Sequence, residues 1–157
     1  MLGLFKKKGI ELVAPATGKV IDIKEVNDGV FSEKMLGDGI AIIPESGEIV
    51  SPFDGKVVSI FDTLHAITLQ KDGINVLIHI GLDTVALKGE GFRAFVKEGQ
   101  DVSKGDKLIE ADLDFLAEKG CRTEIPVVIV ESEYNSLESK KKGESVEKGK
   151  DVVLLVK

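Results

Sequence analysis

The chain has no tryptophan, one tyrosine and one cysteine in 157 residues. A single thiol, Cys121, cannot form an internal disulfide, and such sparing use fits a reducing compartment. Its surroundings, "EKGCRTEIP", bring no histidine near it in sequence, so Cys121 is expected to be structural rather than a nucleophile. Positive charge is also short: 21 Lys and Arg against 27 Asp and Glu leave a net charge of -6. That argues against a nucleic-acid surface, which needs a basic patch, and leaves room for a basic protein partner. Long apolar runs are missing as well. "VVLLV" at 152–156 is far shorter than the roughly 20 residues of a membrane-spanning helix. The opening "MLGLFKKKG" puts a short apolar patch ahead of three lysines, the reverse of a secretory signal. Residues 1–13 are expected to be a flexible N-terminal segment that makes at most a peripheral membrane contact. The sequence does not decide between a free-standing protein and an excised domain, though the initiating methionine and the lack of a linker favour the first.

What the sequence has in quantity is glycine, 17 residues, punctuating short apolar segments. These read as strands at 18–23, 40–43, 49–51, 56–61, 65–70, 74–80, 92–96, 107–110, 126–130 and 151–156. Many short strands at such spacing predict an all-β sandwich or barrel, with 14–157 as one domain. One helix is expected, in "DLDFLAEKG", started by Asp112 and ended by Gly120. "SEKMLGDG" reads as a single helical turn after Phe31, and "YNSLESKKKG" as a second short turn. Two segment pairs repeat weakly. "APATGKVIDI" at 14–23 resembles "SPFDGKVVSI" at 51–60, and "KEGQDVSKGDKL" at 97–108 resembles "KKGESVEKGKDV" at 141–152. Two copies are too few for a solenoid and fit a sandwich with approximate internal two-fold symmetry.

The chain contains only two histidines, and His79 sits within its best strand, "GINVLIHIGLDT". Strand alternation puts Ile74, Val76, Ile78 and Ile80 on the core face and His79 on the other, beside Leu77. In "FDTLHAITLQ" the same period groups Phe61, Thr63 and His65. A three-residue loop of Lys71, Asp72 and Gly73 between the strands would set Gln70 against Ile74 and His65 against His79. A two-residue loop would shift the register and separate the two imidazoles.

Three chemistries can use paired histidines. Zinc binding could recruit Asp83, but a hydrolytic site usually takes three protein ligands, and lysostaphin-type peptidases of this fold class use three histidines. Acid–base catalysis needs a small substrate, yet no phosphate-cradling loop is present, and the glycines of "LKGEGFRAF" do not follow a strand-to-helix pattern. Nucleophilic attack on a phosphoryl group suits a neutral imidazole, with the second histidine as hydrogen-bond donor. Neither histidine has a lysine or arginine close in sequence. A pocket without cations would suit a relay, since a strong cation holds the phosphorylated form too tightly.

"VFSEKMLGDGIAI", "LIHIGLDTVALKGEGF" and "VKEGQDVSKGDKL" together resemble the glucose-family IIA component of the bacterial sugar phosphotransferase system, from about Ala14 to Lys157. The resemblance implies an antiparallel β-sandwich with internally duplicated, hybrid barrel-sandwich topology and one or two short helices. It implies that His79 carries the phosphoryl group on Nε2, that His65 stabilises that group, and that Thr63 orients His65. Asp28 and Asp83 match acids at the rim, and Val30, Phe31, Phe61, Leu77 and Val85 match an apolar docking depression. Where this chain has Leu77 the family often has an aromatic. The implied donor is the phosphocarrier protein HPr, and the implied acceptor is a cysteine on a IIB permease domain. The chain is expected to be a cytoplasmic monomer that needs no cofactor. Some members also regulate transporters or kinases when unphosphorylated, and zinc can then bridge the two histidines, here His65 and His79, with a partner's acid. "VKEGQDVSKGDKL" also resembles biotinyl and lipoyl carrier domains, but Lys34 in "SEKMLG" lacks the hairpin context of a modified lysine.

Overall fold

The computed structural model describes residues 9–157. The reading of "MLGLFKKK" as a frayed or membrane-touching terminus lies outside the described residues. Residues 10–13, expected to belong to that flexible segment, instead form a strand. This is β1, Ile10–Val13, which pairs antiparallel with the last strand of the chain. Leu12 and Val13 are buried there, and their removal from water holds the segment down.

Thirteen further strands follow. They are β2 (Gly18–Asp22), β3 (Asp38–Pro44), β4 (Glu48–Val50), β5 (Gly55–Ile60), β6 (Ala66–Lys71), β7 (Ile74–His79), β8 (Phe92–Ala94), β9 (Asp101–Val102), β10 (Lys107–Ala111), β11 (Ile125–Val130), β12 (Leu137–Ser139), β13 (Ser145–Val146) and β14 (Val152–Val156). All pairs are antiparallel. An eight-stranded sheet runs β13-β2-β3-β11-β7-β6-β5-β9, and two three-stranded sheets run β1-β14-β12 and β4-β10-β8. The chain is thus an all-β sandwich, as its alternation predicts, and among the described residues no sheet closes into a barrel. The one α-helix among the described residues, α1 (Leu113–Glu118), begins where Asp112 Oδ1 accepts from the Phe115 N–H at 3.1 Å. Among the described residues, two 3₁₀ turns, Ile23–Val26 and Thr84–Leu87, carry no strong sequence signal. "YNSLESKKKG", read as a turn, contains β12 instead, because Leu137–Ser139 finds a backbone partner in β14.

The internal repeats occupy equivalent places. In the eight-stranded sheet, β2 with β13 closes one edge and β5 with β9 closes the other. Gly149 N–H donates to the Ala14 carbonyl as Gly105 N–H donates to that of Ser51, and Val20 N–H reaches Glu144 as Val57 N–H reaches Gln100. Across the centre, Val13 N–H bonds Pro52 while Val50 N–H bonds Pro15, which is the exchange a two-fold axis requires.

Strand alternation divides the apolar residues between two cores. Ile74, Val76, Ile78, Ile80, Val127, Ile129, Ile40 and Ile42 fill the larger one, with Cys121 packed on its margin as a small hydrophobe. The opposite face of the same sheet has a smaller core of Leu77, Ala66, Val128, Ala41 and Ile21, roofed by Ile23, Val26, Phe31 and Leu82. This second core gives the outer face of β7 its apolar neighbours, and His79 stands at its edge.

Candidate functional site

The hairpin between β6 and β7 turns through two residues, not the three expected. Asp72 (φ 47°) and Gly73 (φ 80°) make the turn, Lys71 faces Ile74, and Ala66 faces His79. Asp-Gly is favoured where both central residues take positive φ. By alternation alone this register would send the two histidines to opposite faces. They meet nonetheless, with ring centroids 4.8 Å apart at 77°. The reason is that residues 61–64 form a turn rather than a continuation of the strand. Leu64 takes φ 58°, its N–H donates to the Phe61 carbonyl at 2.7 Å, and β6 begins only at Ala66. His65 therefore escapes alternation, and Thr63 Oγ1 fixes its ring through a 2.6 Å hydrogen bond with Nδ1.

His79 is held from the other side. Its Nδ1 lies 2.7 Å from the Gly81 carbonyl oxygen, which only accepts. Nδ1 therefore carries the hydrogen, and the Nε2 lone pair is left free. The carbonyl is aimed by a tight loop: Gly81 has φ 76°, Thr84 Oγ1 donates to Ile80 O at 2.7 Å, and Thr84 is fully buried. Phe31 packs on the His79 ring at 5.0 Å, and Phe61 meets the His65 ring edge-on at 5.3 Å.

Both imidazoles favour the neutral form. Burial, and then the nearby His79, push the His65 pKa down to about 4. His65 is only 3% exposed. Burial also lowers the His79 pKa, against the opposing pull of the Gly81 hydrogen bond and the Asp28 and Asp83 charges. Asp28 accepts from the backbone N–H groups of Val30, Phe31 and Ser32 at 3.0–3.2 Å. Burial works against its ionisation, but these bonds together hold its carboxyl below the ordinary range. Asp28 is thus a loop cap as well as a rim acid, whereas the exposed Asp83 makes no side-chain cap.

A hollow of about 390 Å³ opens over His79, lined by Asp28, Val30, Phe31 and Leu36 on one side and by Leu82, Asp83 and Val85 on the other. Val30, Val85 and Phe61, expected on a docking face, are exposed around the two rings. Phe31 and Leu77, expected on that face too, are 5% and 8% exposed. Phe31 forms the floor, and Leu77 supports it from the second core. Leu36 was not foreseen; its place in a turn-rich segment gave no periodicity to read.

Arg122 also lines the hollow, so the expectation of a pocket without cations is not met. Its chain position, 43 residues after His79, hid it. Its guanidinium is already engaged: Nε and Nη2 donate to Glu124, and Nη2 donates to the Val26 carbonyl. A cation so occupied is partly neutralised, which blunts its hold on a bound anion. Among the described residues, no group of three or more His, Cys, Asp or Glu side chains could hold a metal ion, so zinc at His65 and His79 would need a ligand from elsewhere. Lys34, the imagined carrier lysine, pairs with Asp38 at 3.4 Å. Among the described residues, no helix is long and apolar enough to cross a membrane.

Known proteins resemble this chain over most of its length. The family described as phosphoenolpyruvate-dependent sugar phosphotransferase system, EIIA 1, matches residues 10–135. A glucose-specific EIIA component of Bacillus cereus is 50% identical over 135 residues, which is 85% of this chain and 82% of that one. A glucose-specific EIICBA component of Staphylococcus carnosus is 51% identical over 145 residues, 92% of this chain, but the match spans only 21% of that longer protein. The solved glucose permease IIA of Mycoplasma capricolum superposes with a TM-score of 0.91 at 43% identity, covering 98% of this chain and 99% of that one. The chain belongs to the EIIA family of the phosphoenolpyruvate-dependent sugar phosphotransferase system, whose components are phosphotransferases that carry phosphoryl groups in sugar uptake.

Proposed function

We propose that this chain takes a phosphoryl group from the phosphorylated histidine of HPr onto Nε2 of His79 and passes it to a cysteine of a IIB domain, for glucose-type sugar uptake. The observation that carries this reading is the 2.7 Å contact between His79 Nδ1 and the Gly81 carbonyl, with the His65 ring 4.8 Å away. The names of the relatives support the partners: a protein that joins EIIC, EIIB and EIIA in one chain has its IIA and IIB units at high effective concentration. The acidic, apolar-centred rim suits a basic donor.

In the first step the neutral Nε2 lone pair of His79 attacks phosphorus in line. The donor's P–N bond breaks as the new P–N bond forms. The hydrogen stays on Nδ1, so the phosphorylated ring is cationic and the Gly81 carbonyl faces that charge. In the second step the IIB thiolate attacks phosphorus, the P–N bond breaks, and neutral imidazole leaves. Thr63 Oγ1–H donating to His65 Nδ1 leaves an Nε2–H on His65 to hold the phosphoryl oxygens. At neutral pH this donor is uncharged, so it orients the group without trapping it. No metal takes part in either step, and the reaction belongs to the cytoplasm, where HPr and the IIB domain are met.

The test is incubation with phosphorylated HPr, scored as acid-labile phosphate, then addition of a IIB domain. Parent protein should be labelled and should discharge. His79→Gln should take no label. Equal labelling of parent and His79→Gln would refute the reading.

A further inference from the structure

We infer that Arg122 is a positioning residue that clamps the two walls of the His79 hollow together. This rests on the proposed relay, because the hollow matters as its docking and transfer site.

One wall comes from the segment that follows the 3₁₀ turn Ile23–Val26 and supplies Asp28, Val30, Phe31 and Leu36. The other comes from the end of β7, which supplies His79, and from the segment after it, which supplies Leu82, Asp83 and Val85. Among the described residues that line the hollow, Arg122 alone belongs to neither. Its backbone pairs with Leu82 as an antiparallel bridge, with the Leu82 N–H donating to the Arg122 carbonyl at 3.0 Å. Its side chain reaches across to donate Nη2–H to the Val26 carbonyl, 96 residues away in sequence. That carbonyl ends the 3₁₀ turn. The next residue, Asn27, takes φ 51°, and Asp28 then caps the wall's own amides. One residue therefore fixes the second wall by its main chain and the start of the first wall by its guanidinium.

The chemistry requires arginine. Glu124 accepts from Nε and Nη2 and so sets the plane of the guanidinium, while Nη2 also serves the carbonyl. A planar fork can satisfy two acceptors at a fixed angle; an ammonium is a point charge on a flexible stem. The Arg122 side chain is half-exposed, so water can replace it as donor to the acceptors it releases. Loss of the clamp should loosen the first wall, which bears Val30 for docking and Phe31 against the His79 ring, without removing any reacting group.

The experiment compares parent, Arg122→Lys and Arg122→Gln by two readouts. One is amide hydrogen exchange at Phe31 and Ser32, with the Ile42 amide of β3 as the reference for global opening. The other is kcat and KM for phosphoryl transfer from phosphorylated HPr. In both variants the Phe31 and Ser32 amides should exchange about tenfold faster, the size of a lost charge-assisted hydrogen bond, with Ile42 unchanged. KM should rise about five- to tenfold while kcat stays within about twofold. Lysine should not rescue, although it keeps the charge. Parent-like exchange or parent-like KM in Arg122→Lys would overturn the clamp. If parent protein took no phosphoryl group at all, the relay alone would fail, and the exchange rates would still decide the clamp.

Discussion

Adding one methyl group at Gly81 should disable His79 without touching it. Gly81 sits at φ 76°, where a residue with a Cβ costs about 1–2 kcal/mol. A Cβ there would lie 2.7 Å from Thr84 Cγ2 and 2.8 Å from the Arg122 carbonyl oxygen. The second neighbour is backbone fixed in the bridge to Leu82, so the loop itself must move. Strain and overlap together should destabilise Gly81→Ala by about 2–4 kcal/mol, lowering the melting temperature by roughly 5–15 °C. The Gly81 carbonyl would move with the loop, and the His79 ring would lose the partner that keeps hydrogen on Nδ1. A displacement of several tenths of an ångström should slow phosphoryl acceptance about 10- to 100-fold. Gly73→Ala is the matched control. It has φ 80° and nothing within 4 Å of an added Cβ, so it carries the backbone strain alone, about 1–2 kcal/mol, and should be phosphorylated at the parent rate. The assays are thermal melting, initial rates of labelling by phosphorylated HPr, and ¹⁵N shifts of the His79 ring nitrogens. Labelling of Gly81→Ala as fast as that of Gly73→Ala, with an unchanged His79 tautomer, would refute this role for the Gly81 carbonyl.

Other expectations follow from the same geometry. His65→Gln should still accept a phosphoryl group on His79 but pass it to a IIB domain at least about tenfold more slowly, measured as discharge of prelabelled protein. Thr63→Val should show a milder form of that defect, about fivefold to tenfold, because it frees the ring and removes no reacting group; parent-like discharge would refute the role of Thr63. The low His65 pKa has a signed consequence for stability. A folded-state value of about 4 against an unfolded value of 6.5 means the unfolded chain binds the extra proton between those limits. His65 therefore costs nothing above pH 6.5, and its contribution falls by about 3 kcal/mol as pH drops from 6.5 to 4. Denaturant unfolding of parent and His65→Gln across that range should show a difference that grows on acidification; a constant difference would contradict it.

Much of this was legible in the sequence where local physics decides alone. The alternation of Ile74, Val76, Ile78 and Ile80 with Leu77 and His79 gave the two faces of β7, because its sheet is covered on both sides by different cores. Asp112 and Gly120 bounded the helix because caps are local. The two repeats pointed to an approximate internal two-fold, and they lie at the two edges of the eight-stranded sheet. The histidine pair was also foreseen, but by a register the structure does not have: Asp72-Gly73 closes a two-residue turn, and a leucine at positive φ restores the meeting. Leucine carries no preference for that conformation, so Leu64 could not have announced it. Arg122 and β1 were missed for a common reason. Both depend on partners more than 90 residues away, Val26 for the guanidinium and β14 for the strand, and no local pattern encodes such a pairing.

The most direct test of the whole account is where the phosphoryl group resides. ³¹P–¹⁵N correlation on the protein phosphorylated by HPr should place phosphorus on Nε2 of His79, with the Nδ1 proton still present and His65 unmodified. Phosphorus on His65, on Nδ1 of His79 or on any other side chain would contradict it.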